Sequence, residues 1–269
     1  MSGGKAVAQI RQPAVAGLFY PDDPMLLEQQ VDSLLAAKAA PAGPGPKALI
    51  VPHAGYVYSG PVAASAYLRL APVREQIERV VLLGPAHRVP FTGLAATSAD
   101  YFATPLGLVR IDHAAMQPVL ALPQVRVLDQ AHQEEHSLEV QLPFLQRALR
   151  KDFGLIPLVV GDAEPDEVAE VIERLWDGPE TLVLISSDLS HYHDYATARR
   201  LDTATSQAIE QLEPQAIGYH QACGRTPVNG LLLAARGHRL RASTLDLRSS
   251  GDTAGGRDRV VGYGAYAFS

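Results

Sequence analysis

The amino-acid sequence predicts a single α/β domain built on a central, mostly buried mixed sheet with helices on both faces. Three observations carry that reading. Short, wholly apolar runs alternate with segments of helical periodicity, the pattern of strands covered on both faces and joined by helices. The chain has 269 residues, enough for one large domain. Its composition, 47% hydrophobic and 19% charged, is that of a folded globular protein.

Taken in order, residues 1–12 read as a short N-terminal tail, and the single domain runs on to residue 269. A first helix carries Leu27, Val31, Leu34 and Leu35 on one face, at i, i+4, i+7 and i+8. The patch "AAPAGPGP" (39–46) that follows is a connector, because too little chain precedes it to form a core. "ALIV" (48–51), "RVVLLG" (79–84), "GLIPLVV" (154–160) and "TLVLIS" (181–186) read as fully buried strands. Between them "PVAASAYLRL" (61–70), "SLEVQLPFLQRAL" (137–149) and "PDEVAEVIERLW" (165–176) read as helices. Pro165 suits a first helical turn, whereas Pro143 is expected to end or kink its helix. A long helix is expected over about 196–212, and another over 226–237 with Thr226 as N-cap and Pro227 at N1. The last segments, "HRLRASTLDLRSS" and "RVVGYGAYAFS", alternate as strands do.

Charge and composition exclude several classes. The 23 basic and 29 acidic residues leave a net charge of −6 without a basic block, which argues against nucleic acid as a partner. The start lacks the apolar core of a secretory signal, and no apolar run approaches the ~20 residues of a membrane span. A cytoplasmic protein with no membrane association is therefore expected. The single cysteine, Cys223, cannot form an intrachain disulfide.

Chemistry-bearing residues cluster after the buried runs, where open α/β sheets hold their ligands. "ALIV" leads to His53, "RVVLLG" to His87 and "TLVLIS" to Asp188 and His191. Either histidine of the first pair can be an ordinary loop residue, but both sit on Gly/Pro-stiffened turns that hold an imidazole as a metal requires. Asp188 and His191 are three apart, so a helical turn would face them the same way, the carboxylate fixing the imidazole tautomer. The competing reading is a helix-capping Asp and a solvent histidine. Cys223, in "ACGRTPV", has Arg225 and a helix start beside it; both favour thiolate and hence metal ligation, against the alternative of a small buried side chain. In "HQEEHSLEVQLPFLQ" (132–146), Glu134 suits the start of a helix, and His136 beside Glu135 can serve as a site acid or base.

These motifs together resemble the Memo family, the B component of the AmmeMemoRadiSam group. The resemblance runs through "PAVAGLFYP" (13–21), "VPHAGYVYSG" (51–60), "LGPAHRVP" (83–90), "EEHSLEVQLPFLQ" (134–146), "SSDLSHY" (186–192) and "CGRTPV" (223–228), nearly the whole chain. Arg88 departs from the family pattern, in which many members carry a second histidine after the first. The resemblance implies a fold similar to class III extradiol dioxygenases. It also implies a metal site of His53, His87 and Cys223 holding iron or copper, with zinc as a further candidate. Asp188 and His191 would then lie close by as acid–base groups, with His136, from its own sequence context, as a further candidate. Sulfur in place of a carboxylate favours iron, copper or zinc over hard cations. It also exposes an oxidisable group to bound dioxygen, so ring cleavage does not transfer directly.

Three functions follow as expectations. The first is a metal-dependent redox enzyme acting on a small substrate. The second is a peptide- or protein-binding module using the same pocket, with structural or vestigial metal. The third is a hydrolase with Cys223 as nucleophile and His191 as its base. The family association adds AMMECR-type and radical-SAM proteins as expected partners.

Overall fold

The computed structural model describes residues 7–37, 43–149 and 152–269. In chain order its strands are β1 (Ile10–Arg11), β2 (Ala48–Val51), β3 (Arg79–Pro85), β4 (Leu94–Ala96), β5 (Tyr101–Thr104), β6 (Gly107–Arg110), β7 (Val125–Val127), β8 (Gly154–Val160), β9 (Thr181–Ser186), β10 (His191–His193), β11 (Ala242–Ser249) and β12 (Val260–Phe268). Its α-helices are α1 (Pro24–Ala36), α2 (Tyr56–Tyr67), α3 (His113–Leu120), α4 (Asp129–Gln133), α5 (Leu142–Ala148), α6 (Pro165–Arg174), α7 (Tyr195–Glu210) and α8 (Arg225–Gly237).

The four apolar runs form the centre of a nine-stranded mixed sheet, in the order β10-β12-β2-β9-β3-β8-β4-β7, with β11 paired to β12. β2, β9, β3 and β8 are mutually parallel, whereas β12 and β4 flank them antiparallel. Every residue of β2, β8 and β9 is buried, which is why these strands read as unbroken apolar runs instead of alternating ones. A second, three-stranded sheet joins β1, β5 and β6. Helices pack against the large sheet and one another in one continuous core.

Several expectations are corrected. The tail ends before residue 12, because Ile10 and Arg11 pair in parallel with Tyr101 and Phe102. Part of the Pro/Gly connector (39–42) and residues 1–6 of the tail lie outside the described residues. The helix placed at 61–70 starts earlier, at Tyr56, with Pro61 inside it and a 3-10 turn over Leu68–Leu70. Pro143 neither ends nor kinks a helix. A 3-10 turn over Glu139–Gln141 precedes it, so Pro143 falls in the first turn of α5, where its missing N–H has no intrahelical acceptor to lose. α8 begins at Arg225 behind Gly224 without a side-chain cap, so Thr226 is helical and does not cap. Asp194 caps α7, accepting from the Thr197 N–H at 3.0 Å.

Candidate metal centre

Three parallel neighbours deliver the site. β2 ends at Val51, β3 at Pro85 and β9 at Ser186, and each is followed two residues later by a polar group: His53, His87 and Asp188. Parallel pairing puts these ends at one edge of the sheet. There they line one cleft of about 1050 Å³, together with His136, His191 and Cys223. The cleft thus gathers every residue that the sequence singled out as ligand or acid–base group.

Within it three imidazoles stand together. His53, His87 and His136 each offer a nitrogen, and these atoms lie within 4.8 Å of one another. His87 stacks on His136 at 4.6 Å between ring centroids, and His53 meets both edge-on at 5.2 and 5.5 Å. The neighbours decide which nitrogens are free. Ser186 Oγ donates its one proton to the Ser137 carbonyl at 2.5 Å and accepts from Gln141 Nε2 at 2.8 Å. Its remaining lone pair faces His53 Nδ1 at 2.9 Å, so that nitrogen carries the proton and Nε2 keeps its lone pair. His87 Nδ1 donates to Glu135 Oε1 at 2.9 Å, which likewise frees Nε2. The charge state suits ligation too. Burial, reinforced by the neighbouring His87, His136 and His191, holds His53 well below the usual imidazole range. Burial, with His87 and Arg88 nearby, pushes His136 down to about 4, against the opposing pull of Glu135.

Glu135 is the organising carboxylate. It is 2% exposed and accepts four hydrogen bonds: from His87 N–H and Nδ1, and from the backbone N–H of His136 and Ser137. Burial alone would raise its pKa, but the hydrogen bonds and electrostatic pull of His87 and the N–H of Ser137 outweigh it and bring the carboxyl down to about 2. The sequence showed Glu135 only as a companion of His136. Glu134, expected at a helix start, instead closes the C-terminal end of α4 and is exposed. Phe19, which the sequence did not single out, lines the cleft and packs on His136 at 4.9 Å.

Cys223 borders this group. Its Sγ lies 3.3 Å from His53 Nε2. Two donors on one ion, at roughly 2.0–2.1 Å for nitrogen and 2.3 Å for sulfur, stand about 3–3.6 Å apart. The spacing therefore fits an S–H···N hydrogen bond and equally a shared metal. The expected electrostatic push toward thiolate is absent from the protein's own groups. Burial first, then the Asp188 charge, raises the thiol to about 12. The Arg225 guanidinium lies over the Tyr219 ring, 5.9 Å from its centroid, and is not engaged by the sulfur.

Asp188 and His191 reach the cleft by another route than a helical turn. After β9 the chain runs without helix to the edge strand β10, where register shifts between His191 and His193 and Tyr192 takes φ +63°. Among the described residues no hydrogen bond joins the two side chains. Asp188 Oδ1 accepts from the His53 backbone N–H at 2.7 Å, so it positions a histidine of the cluster. The tautomer of His191 is fixed by the Leu189 carbonyl, 2.8 Å from Nδ1, which leaves Nε2 free to take a proton. Burial raises Asp188, opposed by His191 and by the N–H groups of His53 and Ala54.

Comparison with known proteins places the chain in a family. Residues 11–267 match the Memo-like protein family. The chain belongs to the Memo family. A MEMO1 family protein of Aquifex aeolicus is 38% identical across 95% of this chain and 97% of its own length. Those of Aeropyrum pernix, at 38%, and Saccharolobus solfataricus, at 34%, each cover 96% of this chain and 99% of their own. The Memo family motif "PAVAGLFYP" acquires a physical meaning here. Ala14 and Val15 N–H and the Tyr20 hydroxyl all donate to the buried Glu139, which fixes the loop carrying Phe19. No helix among the described residues is long and apolar enough to cross a membrane.

Proposed function

We propose that the cleft is a metal-dependent redox site on a domain related in fold to class III extradiol dioxygenases, with helices on both sheet faces. His53, His87 and His136 hold an iron or copper ion, and the Cys223 sulfur is the adjacent fourth donor. The observation that carries this reading is the trio of imidazoles, two of them locked with Nε2 lone pairs free, and two of them, His53 and His136, held by burial below the usual imidazole range. Imidazoles beside a sulfur suit iron, copper or zinc and not magnesium or calcium. Bound there, the ion would supply one-electron chemistry and polarise a small substrate. The protein's own groups do the rest. Asp188 holds the His53 backbone, Glu135 orients His87, and His191 Nε2 accepts or returns a proton at the cleft wall. AMMECR-type and radical-SAM proteins are the partners this reading carries with it.

Metal content of protein purified without metal-affinity resin tests the centre. His53→Ala, His87→Ala and His136→Ala should each lower bound iron or copper at least about tenfold, or ~1.4 kcal/mol. Equal metal in wild type and all three variants would remove the proposal. His191→Ala should keep the ion while oxygen uptake with ascorbate, per bound metal, falls by about 10²–10⁴. Cys223 should react with alkylating reagents faster after chelation than before it; equal rates in the two folded forms would exclude the sulfur as a donor.

A further inference from the structure

The walls of the cleft carry two cations that the metal reading leaves unused. Arg88 and Arg225 both line it. Elsewhere the arginines near carboxylates are engaged: Arg11 with Glu139, Arg79 with Asp112 and Asp177, Arg147 with Glu28 and Asp32, Arg248 with Asp246. Neither cleft arginine pairs with a carboxylate among the described residues. The carboxylates lining the same cleft do not neutralise them. Asp188 is 4% exposed and committed to the His53 N–H, and Asp162 is exposed without an ion pair. The walls are also aromatic. Phe19 lies beside His136, and the exposed rings of Tyr192 and Tyr219, 65% and 77% accessible, are each flanked by a guanidinium, from Arg259 and Arg225. The uncapped start of α8 adds the positive end of a helix dipole on Arg225's side. In a protein of net charge −6, cations without a carboxylate partner around a concave, partly aromatic wall are a recognition feature for an anion.

We infer that the cleft takes a small, flat organic monocarboxylate, its carboxylate paired with Arg88 and Arg225 and its remainder stacked among the aromatic walls before the three histidines. This rests on the proposed metal site for its catalytic use, but not for binding. Arg88 lines the same cleft as the histidines and acts electrostatically on His136, so a ligand held there stands before the cluster. Arg225 follows Cys223 by two residues and reaches the same space from α8.

The probe is benzoate against its neutral counterpart benzamide, titrated calorimetrically into metal-free and iron-loaded protein. Benzoate should bind at least about tenfold tighter than benzamide, as a charge-assisted pair requires. Arg88→Gln and Arg225→Gln should each remove most of that preference, whereas the charge-keeping Arg88→Lys and Arg225→Lys retain part of it. Arg147→Gln, which makes the same change in net charge far from the cleft, should leave it intact. Equal affinity for benzoate and benzamide would overturn the inference. So would wild-type benzoate binding in both glutamine variants, no benzoate binding in either form, or inorganic phosphate binding more tightly than benzoate at the same arginines. The two readings separate cleanly. A protein that takes no metal yet keeps the arginine-dependent preference loses the metal proposal alone; one that binds metal without the preference loses this inference alone.

Discussion

Residues 132–139 contain two histidines and two buried glutamates, and the segment divides them between two jobs. His132 and Glu139 face inward: His132 donates to the Ala95 carbonyl at 3.0 Å, and Glu139, fully buried, pairs with Arg11. Glu135 and His136 face the cleft, the one orienting His87 and the other joining the imidazole cluster. The chemistry of the two pairs is alike, and both histidines are driven down to about 4 by burial. What differs is whether unspent donor atoms face the cleft. Glu139 has donors at both oxygens from Arg11, Ala14, Val15 and Tyr20 and nothing left to offer. The cluster has nitrogens left over that face the cleft, whereas the one left over in the inward pair, His132 Nδ1, is sealed in the core, and it is the leftover donors at the cleft that mark the functional pair.

The largest effect should come from the inward pair. Glu139→Ala leaves the Arg11 charge buried without a counter-ion, held only by the His132 and Glu135 carbonyls, and frees two backbone N–H groups and a tyrosine hydroxyl. Loss of one partner of a buried pair costs about 3–5 kcal/mol. Denaturant titration should show that loss, and a drop below about 1 kcal/mol would mean that the network does not anchor the N-terminal motif.

His132 gives the next effect, through pH. Its folded-state constant is about 4 against 6.5 unfolded, because burial penalises the cation, and its Nδ1 has no partner. A lowered base favours folding while neutral. The contribution is present above about pH 6.5 and is lost as pH falls toward 4, on the order of 3 kcal/mol in all. Metal-free protein should therefore lose more stability between pH 7 and 4.5 than His132→Gln does. Parallel pH profiles would show that His132 is not the group responsible.

Legibility in the sequence follows the same division. β2, β3, β8 and β9 were readable because burial on both faces leaves only apolar residues, and α6 because Pro165 opens it. β4 and β7 are three residues long, and β6 exposes three of its four, so neither period nor length marked them. His53 and His87 were visible because each follows a strand directly. His136 was seen but given the role of acid or base; it lies between α4 and a 3-10 turn, and only the fold brings it to the others. Glu135, Phe19 and Ser186 were not assigned for the same reason: their partners are far away in the chain. The adjacency of Glu135 and His136 was the one local sign.

The cleft-facing pair predicts a smaller effect, and of another kind. Glu135→Gln keeps the shape and an acceptor for the backbone N–H groups of His136 and Ser137, so stability should fall much less than in Glu139→Ala. It weakens the acceptor that holds His87 Nδ1–H, and a histidine ligand without its carboxylate partner binds metal about 10–100-fold less tightly, or ~1.4–2.7 kcal/mol. Competition with a chelator would read this. A variant that unfolds as easily as Glu139→Ala would place both glutamates in the structural class and end the contrast.

The smallest effect belongs to a control that repeats the Arg11–Glu139 chemistry in water. Arg147 reaches Glu28 at 2.7 Å and Asp32 at 2.8 Å, full charge-assisted hydrogen-bonding distance. Its side chain is 33% exposed, however, and its partners are about half exposed, at 49% and 47%. Water already solvates both charges there, so removing one leaves the other content, and Arg147→Ala should cost only about 0–1 kcal/mol. Added salt should shrink that cost further by screening, while leaving the Glu139→Ala loss nearly unchanged, because the Arg11 pair lies beyond the reach of solvent ions. If Arg147→Ala instead cost as much as Glu139→Ala, burial would not be what separates the two pairs. The weight placed on exhausted and leftover donors along 132–139 would then have to shift to distance and charge alone.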